Sequence, residues 1–550
     1  MLMPRARAHS FLASRWGRTV AAPAAGALPA LAFPAPGLWW LAYGALVPWL
    51  LLIRSAPTGR RAACEGWLGG AGFLLAVHHW LLPLLHVFIV VVAVGLGLLW
   101  APWGWLVRRL LGPGAAGGRR AAGALVLLPA GWLLVELIRS WQYLGGPWGL
   151  LGASQWEVEP ALRLVSVGGV WLASLLVVAV NTALVVLVAL PGARRVAVAG
   201  LAGCATGVAG VWAWSPAPQP AGTVRVAVVQ PGVIDGSNRR FDRQEELTRG
   251  LAGRGVRLVV WGESSVGSDL RERPDLRRRL AALSRDVGAE LLVNVDARQA
   301  GQPGIYKSSV LVGSRGPTGD RYDKMRLVPF GEYIPARSVL GWATSIGQAA
   351  SEDRRRGARS VVMRVPGVSA GRPSARHAGA GSGATPAPPS AAGLRLGPLV
   401  CFESAFPDMS RRLVRNGAQL LVAQSATSSF QHSWAPEQHA ALAALRAAET
   451  WRPTAHATLT GVSAVFGPRG TPVGGRLGTQ RSVAAVYDVP LAAGTSPYVR
   501  YGDWPAYGAV AALLVAAVAA GGRAHRQRTR AERPVDPAPE RRDAGSPVGS

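Results

Sequence analysis

The fold of the middle of this chain is indicated by residues 256–263, which read VRLVVWGE. Short runs of apolar, β-branched and aromatic residues are typical of a buried strand, and this run ends at a carboxylate, Glu263. Similar strand-like runs lie on either side of it, separated by amphipathic helices. Strands are predicted at 223–230, 256–261 and 290–295, and helices at 241–254 and 274–287. Strands that alternate with helices in this way predict an α/β domain.

The α/β pattern continues toward the C-terminus, to about residue 490. Further strands are predicted at 307–313, 359–364, 395–401 and 418–424, and a helix at 435–450. Residues 369–393 are rich in Ala, Gly, Pro and Ser, which predicts a flexible low-complexity loop with no role in chemistry. The domain is therefore expected to span residues 222–490.

The rest of the chain is apolar enough to predict membrane spans. Apolar residues make up 49% of the 550 residues, and they concentrate before residue 215 and at 505–521. A helix of roughly 17–25 apolar residues crosses a bilayer. Candidate stretches lie at about 19–33, 38–53, 66–83, 87–107, 122–138, 164–191, 196–214 and 506–521. The sequence predicts a seven-span bundle over 19–215 and a last helix over 505–521, with one span fewer if the nearly fused third and fourth stretches form one.

Arginines mark alternate loops and so predict the orientation of the spans. They precede the first span and follow the second, fourth, sixth and eighth. Basic loops stay in the cytoplasm, so a basic arm at 1–18 and an Arg/Pro-rich, disordered tail at 522–550 are both predicted to be cytoplasmic. The α/β domain is then predicted on the far side. A cleaved signal peptide is the alternative for the N-terminus, but the spans that follow at once favour an uncleaved helix.

The net charge of +29 alone is compatible with several kinds of partner, but the positions of the basic residues narrow the choice. Because many arginines sit in short loops beside apolar spans, anionic lipid headgroups are the expected partner, and nucleic acid is not expected.

The three cysteines, Cys64, Cys204 and Cys401, predict no disulfide framework. Lysine occurs at only two positions, Lys307 and Lys324, although there are 59 basic residues. A lysine in so arginine-rich a chain suggests a site that needs a compact point charge.

Three side chains form a candidate catalytic set. Cys401 ends one predicted strand, where a rigid support can present a nucleophile; a buried, inert thiol is the alternative. Glu263 follows another strand and could take the proton of a thiol, or simply be a solvated carboxylate. Lys324 could stabilise the oxyanion formed when a thiolate attacks a carbonyl, or lie on the surface. Glu332, eight residues later, could orient Lys324 or a substrate amine.

One loop on the far side of the predicted membrane combines aromatic residues with Gly and Pro. It spans residues 141–152 and includes Trp141 and Trp148. This composition suits a segment at the bilayer interface. An aromatic belt is one interpretation. The other is a lip through which lipid reaches the site, with Trp141 and Trp148 as candidates.

The chain resembles the apolipoprotein N-acyltransferase family, whose soluble part is a nitrilase-superfamily domain. Glu263, Lys324 and Cys401 stand in the order of the nitrilase triad, between a helical bundle and one last span. Six local phrases carry the resemblance: ELIRSW at 136–141, GPW at 146–148, GASQ at 152–155, KMRLVPFGEY at 324–333, CFE at 401–403 and PEQH at 436–439. It implies a polytopic α-helical bundle of about eight spans with an inserted nitrilase-like α-β-β-α sandwich.

The resemblance also implies a reaction that needs no metal or diffusible cofactor. Glu263 would deprotonate Cys401, which takes an acyl group from a membrane phospholipid as a thioester. Lys324 and the backbone N–H of Phe402 would hold the oxyanion, with Glu332 and Glu403 in support. The acceptor would be the α-amine of the diacylglyceryl-cysteine of an apolipoprotein, at the membrane of a bacterial cell.

Three segments depart from the family pattern. Phe402 replaces a Tyr, residues 425–430 read SATSSF, and residues 456–461 read HATLTG. They leave the triad intact and alter the acceptor side of the predicted pocket. Two other functions therefore remain: a membrane-tethered amidase or nitrilase that passes the acyl group to water, and a catalytically silent scaffold for another membrane enzyme.

Overall fold

A bundle of apolar helices and an α/β domain inserted before the last helix make up the fold. The computed structural model describes residues 14–114, 117–298, 304–335, 337–340, 353–366 and 393–531. Residues 1–13 of the predicted basic arm and residues 369–392 of the predicted low-complexity loop therefore lie outside the described part of the chain. The predicted architecture, a polytopic bundle carrying an α-β-β-α sandwich, is confirmed.

Six helical segments in the described part of the chain are long and apolar enough to cross a membrane. They are Gly59–Leu85, Phe88–Leu111, Gly118–Arg139, Glu159–Ala189, Pro191–Trp214 and Trp504–Arg528, with a shorter apolar segment at Trp39–Arg54. The third and fourth predicted spans are thus separate helices. The first predicted span is a short helix, Arg15–Ala27, continued by a 3-10 turn, Leu28–Ala32, so six long segments stand where the sequence predicts eight spans.

The bundle contains several short helices because Gly and Pro interrupt the apolar stretches. Within the segments above, α-helix is continuous over Val47–Arg54, Gly59–His78, Leu82–Leu85, Phe88–Gly97, Ala101–Leu111, Gly118–Arg139, Glu159–Ala189, Arg194–Trp214 and Trp504–Ala531. The last helix runs ten residues beyond the predicted span, so residues 522–531 are helical and not part of a disordered tail. Arg, Ala and Gln in this stretch are good helix formers, and a helix already nucleated in the membrane propagates readily through them. Residues 532–550 lie outside the described part.

The α/β domain consists of two stacked sheets. The strands are β1 Gln219–Gln230, β2 Leu258–Trp261, β3 Glu290–Arg298, β4 Ile305–Gly313, β5 Gly316–Asp323, β6 Met363–Val365, β7 Leu394–Val400, β8 Leu420–Ser425, β9 Thr454–Thr458, β10 Ala464–Phe466 and β11 Val483–Ala493. One sheet has the order β11-β1-β2-β3-β4-β5 and the other β10-β9-β8-β7-β6. Strands β1, β2 and β3 are mutually parallel, as are β7, β8 and β9. The carboxyl ends of each parallel set therefore meet at one edge of its sheet.

Helices cover both outer faces of the two sheets. Ser237–Arg249 and Pro274–Val287 pack on the six-stranded sheet through an apolar cluster that includes Phe241 and Leu280. Pro407–Arg415 and Ala435–Thr450 cover the other sheet, and short helices lie at Arg337–Leu340 and Pro497–Tyr501. The Ala435–Thr450 helix belongs to the same apolar cluster as the membrane helices. The bundle and the domain therefore share one core, with this helix at the seam.

Candidate active site

Cys401 lies at a sharp turn between β7 and a 3-10 helix, Cys401–Ala405. Its φ of 51° is in the left-handed region, which costs a non-glycine residue roughly 1–3 kcal/mol and persists only where neighbouring contacts impose it. Two such contacts are present: the Ser404 hydroxyl donates to the Cys401 carbonyl at 3.0 Å, and His439 Nε2 lies 3.0 Å from the same oxygen. The turn holds the thiol beyond the end of its strand.

Glu263 lies where the two sheets approach each other. Its backbone N–H donates to the carbonyl of Ser425, at the end of β8, over 3.1 Å. Gly262 permits this approach, since a Cβ there would collide with the backbone of Leu459. The Glu263 carboxylate thus projects from one sheet toward the strand ends of the other, where Cys401 lies.

Lys324 follows β5 and bridges two carboxylates. Its Nζ lies 3.1 Å from Glu263 Oε1 and 2.9 Å from Glu332 Oε1, and the side chain is 1% exposed. Glu332 is held in turn, because its Oε2 accepts the backbone N–H of Val328 at 2.9 Å. The structure therefore brings together Glu263, Lys324, Glu332 and Cys401, which we call the reactive cluster.

The reactive cluster favours a charged lysine and a neutral thiol. Burial alone lowers the pKa of Lys324, but attraction by Glu263 and Glu332 outweighs it and holds that pKa well above its ordinary value. Burial and the Glu263 carboxylate raise the pKa of Cys401, with Lys324 opposing them. At neutral pH the resting site thus holds a thiol beside a carboxylate, and proton transfer must accompany attack by sulfur.

Glu403 ties the Cys401 turn to the Lys324 loop. Its Oε1 accepts from the Tyr322 hydroxyl at 2.8 Å and from the backbone N–H groups of Met325 at 2.7 Å and Arg326 at 3.0 Å. Its Oε2 accepts the N–H of Val400 at 2.8 Å. Burial nonetheless raises the pKa of Glu403 above its ordinary value. With four donors, the side chain fixes the distance between β7 and the loop after β5.

The two tryptophans predicted at a lipid lip lie in different surroundings. Trp141 is 60% exposed and contacts Tyr143. Trp148 is buried; its indole N–H donates to Gln438 Oε1 at 2.7 Å, and its ring centre lies 5.2 Å from that of His439. Trp148 therefore joins the loop at 141–152 to the Ala435–Thr450 helix, which lies behind Cys401.

Gly146, in the same loop, packs against the residues that follow Cys401. Its φ is 71°, and a Cβ there would lie 2.8 Å from the ring of Phe402 and 2.6 Å from that of Phe406. Phe402 and Phe406 contact each other edge to face at 4.9 Å. Phe402, which stands where the family usually has Tyr, therefore faces the loop at 141–152.

The other two departing segments lie beside Glu263. Ser425 accepts the Glu263 N–H, and its hydroxyl lies 3.2 Å from His456 Nε2. Thr427 donates through its backbone N–H and its hydroxyl to the Thr460 carbonyl. Residues 425–430 and 456–461 therefore form one connected wall of the site.

A second buried charge pair, which the sequence reasoning missed, lies behind the Cys401 turn. Arg446 binds both oxygens of Glu449 at 2.7 and 2.8 Å and donates to the carbonyl of Ala405 at 2.7 Å. Glu449 Oε1 accepts the N–H of Val170 at 2.9 Å. This N–H is freed where the Glu159–Ala189 helix breaks, at Gly169 with φ 68°. We call Arg446 and Glu449 the anchoring cluster. A charged pair three residues apart in an Ala-rich helix was the available signal.

Among the described residues, no group of three or more His, Cys, Asp or Glu side chains is placed to hold a metal ion. The chemistry available at the site is that of a thiol, a base and a fixed cation. This set can attack a carbonyl carbon, stabilise the oxyanion and move one proton, which is acyl transfer.

Comparison with known families agrees with the division into two parts. The family model for the apolipoprotein N-acyltransferase N-terminal domain matches residues 25–183, and that for carbon-nitrogen hydrolases matches residues 225–494. The second match includes every member of the reactive cluster.

Two proteins that are similar to this chain over most of their length carry the same name. The chain is 31% identical over 531 residues to an apolipoprotein N-acyltransferase of Azotobacter vinelandii, covering 91% of this chain and 94% of that protein. It is 29% identical over 527 residues to one of Geobacter metallireducens, covering 90% and 94%. Among solved structures, a mutant of the Nesterenkonia AN1 amidase, from the nitrilase superfamily, is 20% identical, with a TM-score of 0.34. That match covers 52% of this chain and 96% of the amidase.

Proposed function

The chain belongs to the apolipoprotein N-acyltransferase family, and on this premise we propose that it transfers a fatty acyl group from a membrane phospholipid, through a Cys401 thioester, to the α-amine of a diacylglyceryl-cysteine. The observation that carries the proposal is the contact of Lys324 with both Glu263 and Glu332 beside the Cys401 turn. A fixed ammonium at that place is what an acyl-transfer oxyanion needs.

In the first half-reaction the Cys401 sulfur attacks an ester carbonyl of the phospholipid. Glu263 takes the thiol proton as the S–C bond forms, which agrees with a thiol that is neutral at rest. Lys324 Nζ and the backbone N–H of Phe402 hold the oxyanion. The ester C–O bond then breaks, Glu263 returns the proton to the departing alkoxide, and lysophospholipid leaves.

In the second half-reaction the free α-amine attacks the thioester carbonyl. The same donors hold the second oxyanion while Glu263 accepts a proton from the amine nitrogen. The C–S bond breaks, and the proton passes to the Cys401 sulfur. The N-acylated lipoprotein leaves, and the site returns to its starting state with every proton accounted for.

Burial favours transfer over hydrolysis. Lys324 is 1% exposed, and the loop around Gly146 and Trp148 packs on the Cys401 turn from the membrane side. A thioester formed there is shielded from bulk water and open to molecules that arrive from the bilayer. Exposed Trp141 remains a candidate for the edge of that opening, and Trp148 for a buried support behind it.

We further propose that the domain lies on the extracytoplasmic side of the bacterial cell membrane, with both termini in the cytoplasm. Arg119 and Arg523 lie at the ends of their helices away from the domain, as the positive-inside rule requires. In the proposed orientation the site lies on the side of the membrane that lipoproteins reach after export. The acyl donor is then a phospholipid of the outer leaflet of that membrane.

The test is the fate of a labelled acyl group. Protein in vesicles containing phospholipid with isotope-labelled acyl chains is mixed with a synthetic diacylglyceryl-cysteine peptide, with its α-amine either free or acetylated. We expect label on the free-amine peptide alone, and none with Cys401→Ala. Release of labelled fatty acid whichever peptide is present would identify a hydrolase instead. Folded protein that transfers label to neither peptide nor water would indicate the silent scaffold.

A further inference from the structure

A cluster of arginines surrounds a cavity of about 800 Å³ at the end of the bundle remote from the α/β domain. The cavity lies between the end of the Ala101–Leu111 helix, the start of the Gly118–Arg139 helix and the last helix. Its basic lining residues are Arg108, Arg109, Arg119, Arg120 and Arg523. Within the described part of the chain, no Asp or Glu lines it. We call this the arginine cavity.

Two helices fix its distance from the active site. Arg139, at the far end of the Gly118–Arg139 helix, donates to the Trp148 carbonyl at 2.7 Å, next to the seam with the domain. Twenty residues of helix separate it from Arg119, which at a rise of 1.5 Å per residue is about 30 Å. Arg523 lies nineteen residues beyond Trp504, whose indole N–H donates to Val167 near the same seam. The arginine cavity thus faces the opposite surface of the bilayer.

Some of these arginines are held against the bundle and others are exposed. Arg108 donates to the carbonyls of Ala56 at 2.6 Å and Pro57 at 2.8 Å, which fixes one wall. Arg109 lies 5.4 Å from the centre of the Trp105 ring. Arg119 and Arg523 are exposed. The cavity therefore has exposed guanidinium groups among its lining residues, next to a wall that hydrogen bonds hold in place.

Apolar residues line the remaining wall. Leu110, Leu127 and Trp105 share the lining, and Trp105 is 47% exposed. A tryptophan at this depth is typical of the interface between headgroups and acyl chains. A free anion needs only the guanidinium groups, but a lipid needs a basic mouth next to an apolar wall, and both are present.

We propose that the arginine cavity binds the phosphate of an anionic glycerophospholipid in the leaflet opposite the catalytic domain. Basic pockets between helices on the cytoplasmic side are suited to such headgroups. Guanidinium groups donate two parallel N–H bonds to a phosphate, which adds orientation to the electrostatic attraction. This lipid is not the acyl donor, since about 30 Å of helix separates the cavity from the seam that lies beside Cys401. It binds as a structural lipid between the middle of the bundle and the last helix.

The test is native mass spectrometry of the full-length protein in detergent with equal amounts of phosphatidylglycerol and phosphatidylcholine of matched acyl chains. The variant Arg119→Gln/Arg523→Gln removes two exposed guanidinium groups from the cavity. The control Arg194→Gln/Arg195→Gln removes two exposed ones from the start of the Arg194–Trp214 helix, at the same end of the bundle but outside the lining of the cavity. We expect wild type and control to retain phosphatidylglycerol at least about tenfold better than phosphatidylcholine, and the cavity variant to lose most of that preference.

Three results would overturn the proposal. Equal lipid preference in the cavity variant and the control would place any bound lipid elsewhere. Equal loss in both would show that total charge acts and the cavity does not. Displacement of the lipid by inorganic phosphate, but not by chloride at equal ionic strength, would identify a free-anion site. Thermal unfolding of both variants checks that each is folded.

Discussion

The reactive cluster and the anchoring cluster lie on either side of the Cys401 turn, both are buried, and they use their charge differently. In the anchoring cluster the polar atoms of Arg446 and Glu449 meet each other and backbone groups. In the reactive cluster one ammonium meets two carboxylates, and a thiol lies beside them. A buried ion pair is therefore not by itself the sign of an active site. A structural ion pair and an active-site ion pair differ in what their polar atoms contact: backbone groups in the first, and a reactive side chain in the second.

The largest effect is expected from the cation of the reactive cluster. Lys324→Met should lower the rate of acyl transfer by about 10²–10³-fold, because an oxyanion donor is lost in a site shielded from water. Lys324→Arg should not restore it, since a planar fork does not fit between Glu263 and Glu332 as a point charge does. The measurement is transfer to a diacylated lipopeptide from vesicles. Activity of either variant within tenfold of wild type would remove Lys324 from the mechanism.

The second prediction concerns the anchoring cluster. Arg446→Met should lower the free energy of unfolding by about 3–5 kcal/mol, because it leaves the Glu449 carboxylate buried without its partner. The double variant Arg446→Met/Glu449→Leu should recover much of that loss. Thermal unfolding in detergent compares the two.

The same double variant separates anchoring from catalysis. Acyl transfer should fall only about tenfold, because the cluster acts on the Ser404 and Ala405 carbonyls and not on the reacting atoms. The affinity for lipopeptide should be unchanged. A loss as large as that of Lys324→Met in well-folded protein would mean that the two clusters are not distinct in function.

The third prediction concerns His439, which lies between the clusters. Burial lowers the pKa of His439 to about 4 from an ordinary value near 6.5. The unfolded chain therefore takes up a proton at a higher pH than the folded protein. The contribution of His439 to folding stability should therefore fall by on the order of 3 kcal/mol as pH drops from about 6.5 to about 4, and change no further below that range. His439→Gln, which keeps a donor for the Cys401 carbonyl, should make this part of the pH profile of the unfolding free energy less steep.

The smallest effect is expected in the alkylation of the Cys401 thiol. Burial is the largest cause of the raised pKa of Cys401, and the Glu263 carboxylate is the next largest. Glu263→Gln should therefore lower the pKa of Cys401. Between pH 8 and 9 iodoacetamide should then label Cys401 faster than in wild type, by up to about tenfold for one pKa unit. Acyl transfer should nevertheless fall, because the base is gone. Slower alkylation in Glu263→Gln would contradict the proposed coupling of the two groups.

Much of the fold follows from local sequence patterns. The helices at 274–287 and 435–450 were predicted to the residue, because one is an amphipathic stretch and the other an Ala-rich stretch, and each has Pro at its first or second position. The apolar strands β1, β2, β3, β7 and β8 were found because buried parallel strands are continuous apolar runs. Four other strands were missed. β5 is a polar edge strand, β10 has three residues, β9 reads TAHAT, and Asp488 and Pro490 interrupt β11.

The members of the reactive cluster could be proposed from sequence because each follows a strand or stands in a distinctive phrase. Their mutual distances could not, because they depend on how two sheets stack. Three of the four donors to Glu403 lie at residues 322–326, about 80 residues earlier in the chain, and the fourth is the nearby N–H of Val400. The anchoring cluster depends on a helix break at Gly168 and Gly169, whose freed N–H meets Glu449 across the seam. A pair of glycines in an apolar span indicates a break, but it does not indicate the partner.

The central claim is a thioester on Cys401, and intact-protein mass spectrometry tests it most directly. Wild type and Cys401→Ala are incubated with phospholipid of a single acyl chain; one portion of each is digested to locate the acyl mass, and another is kept intact and exposed to a diacylated lipopeptide or to buffer alone. We expect one acyl mass on the Cys401 peptide of wild type, none in the variant, and its discharge in undigested protein by the lipopeptide far faster than by water. Folded wild-type protein that never gains the mass, or gains it on another residue, would contradict the account.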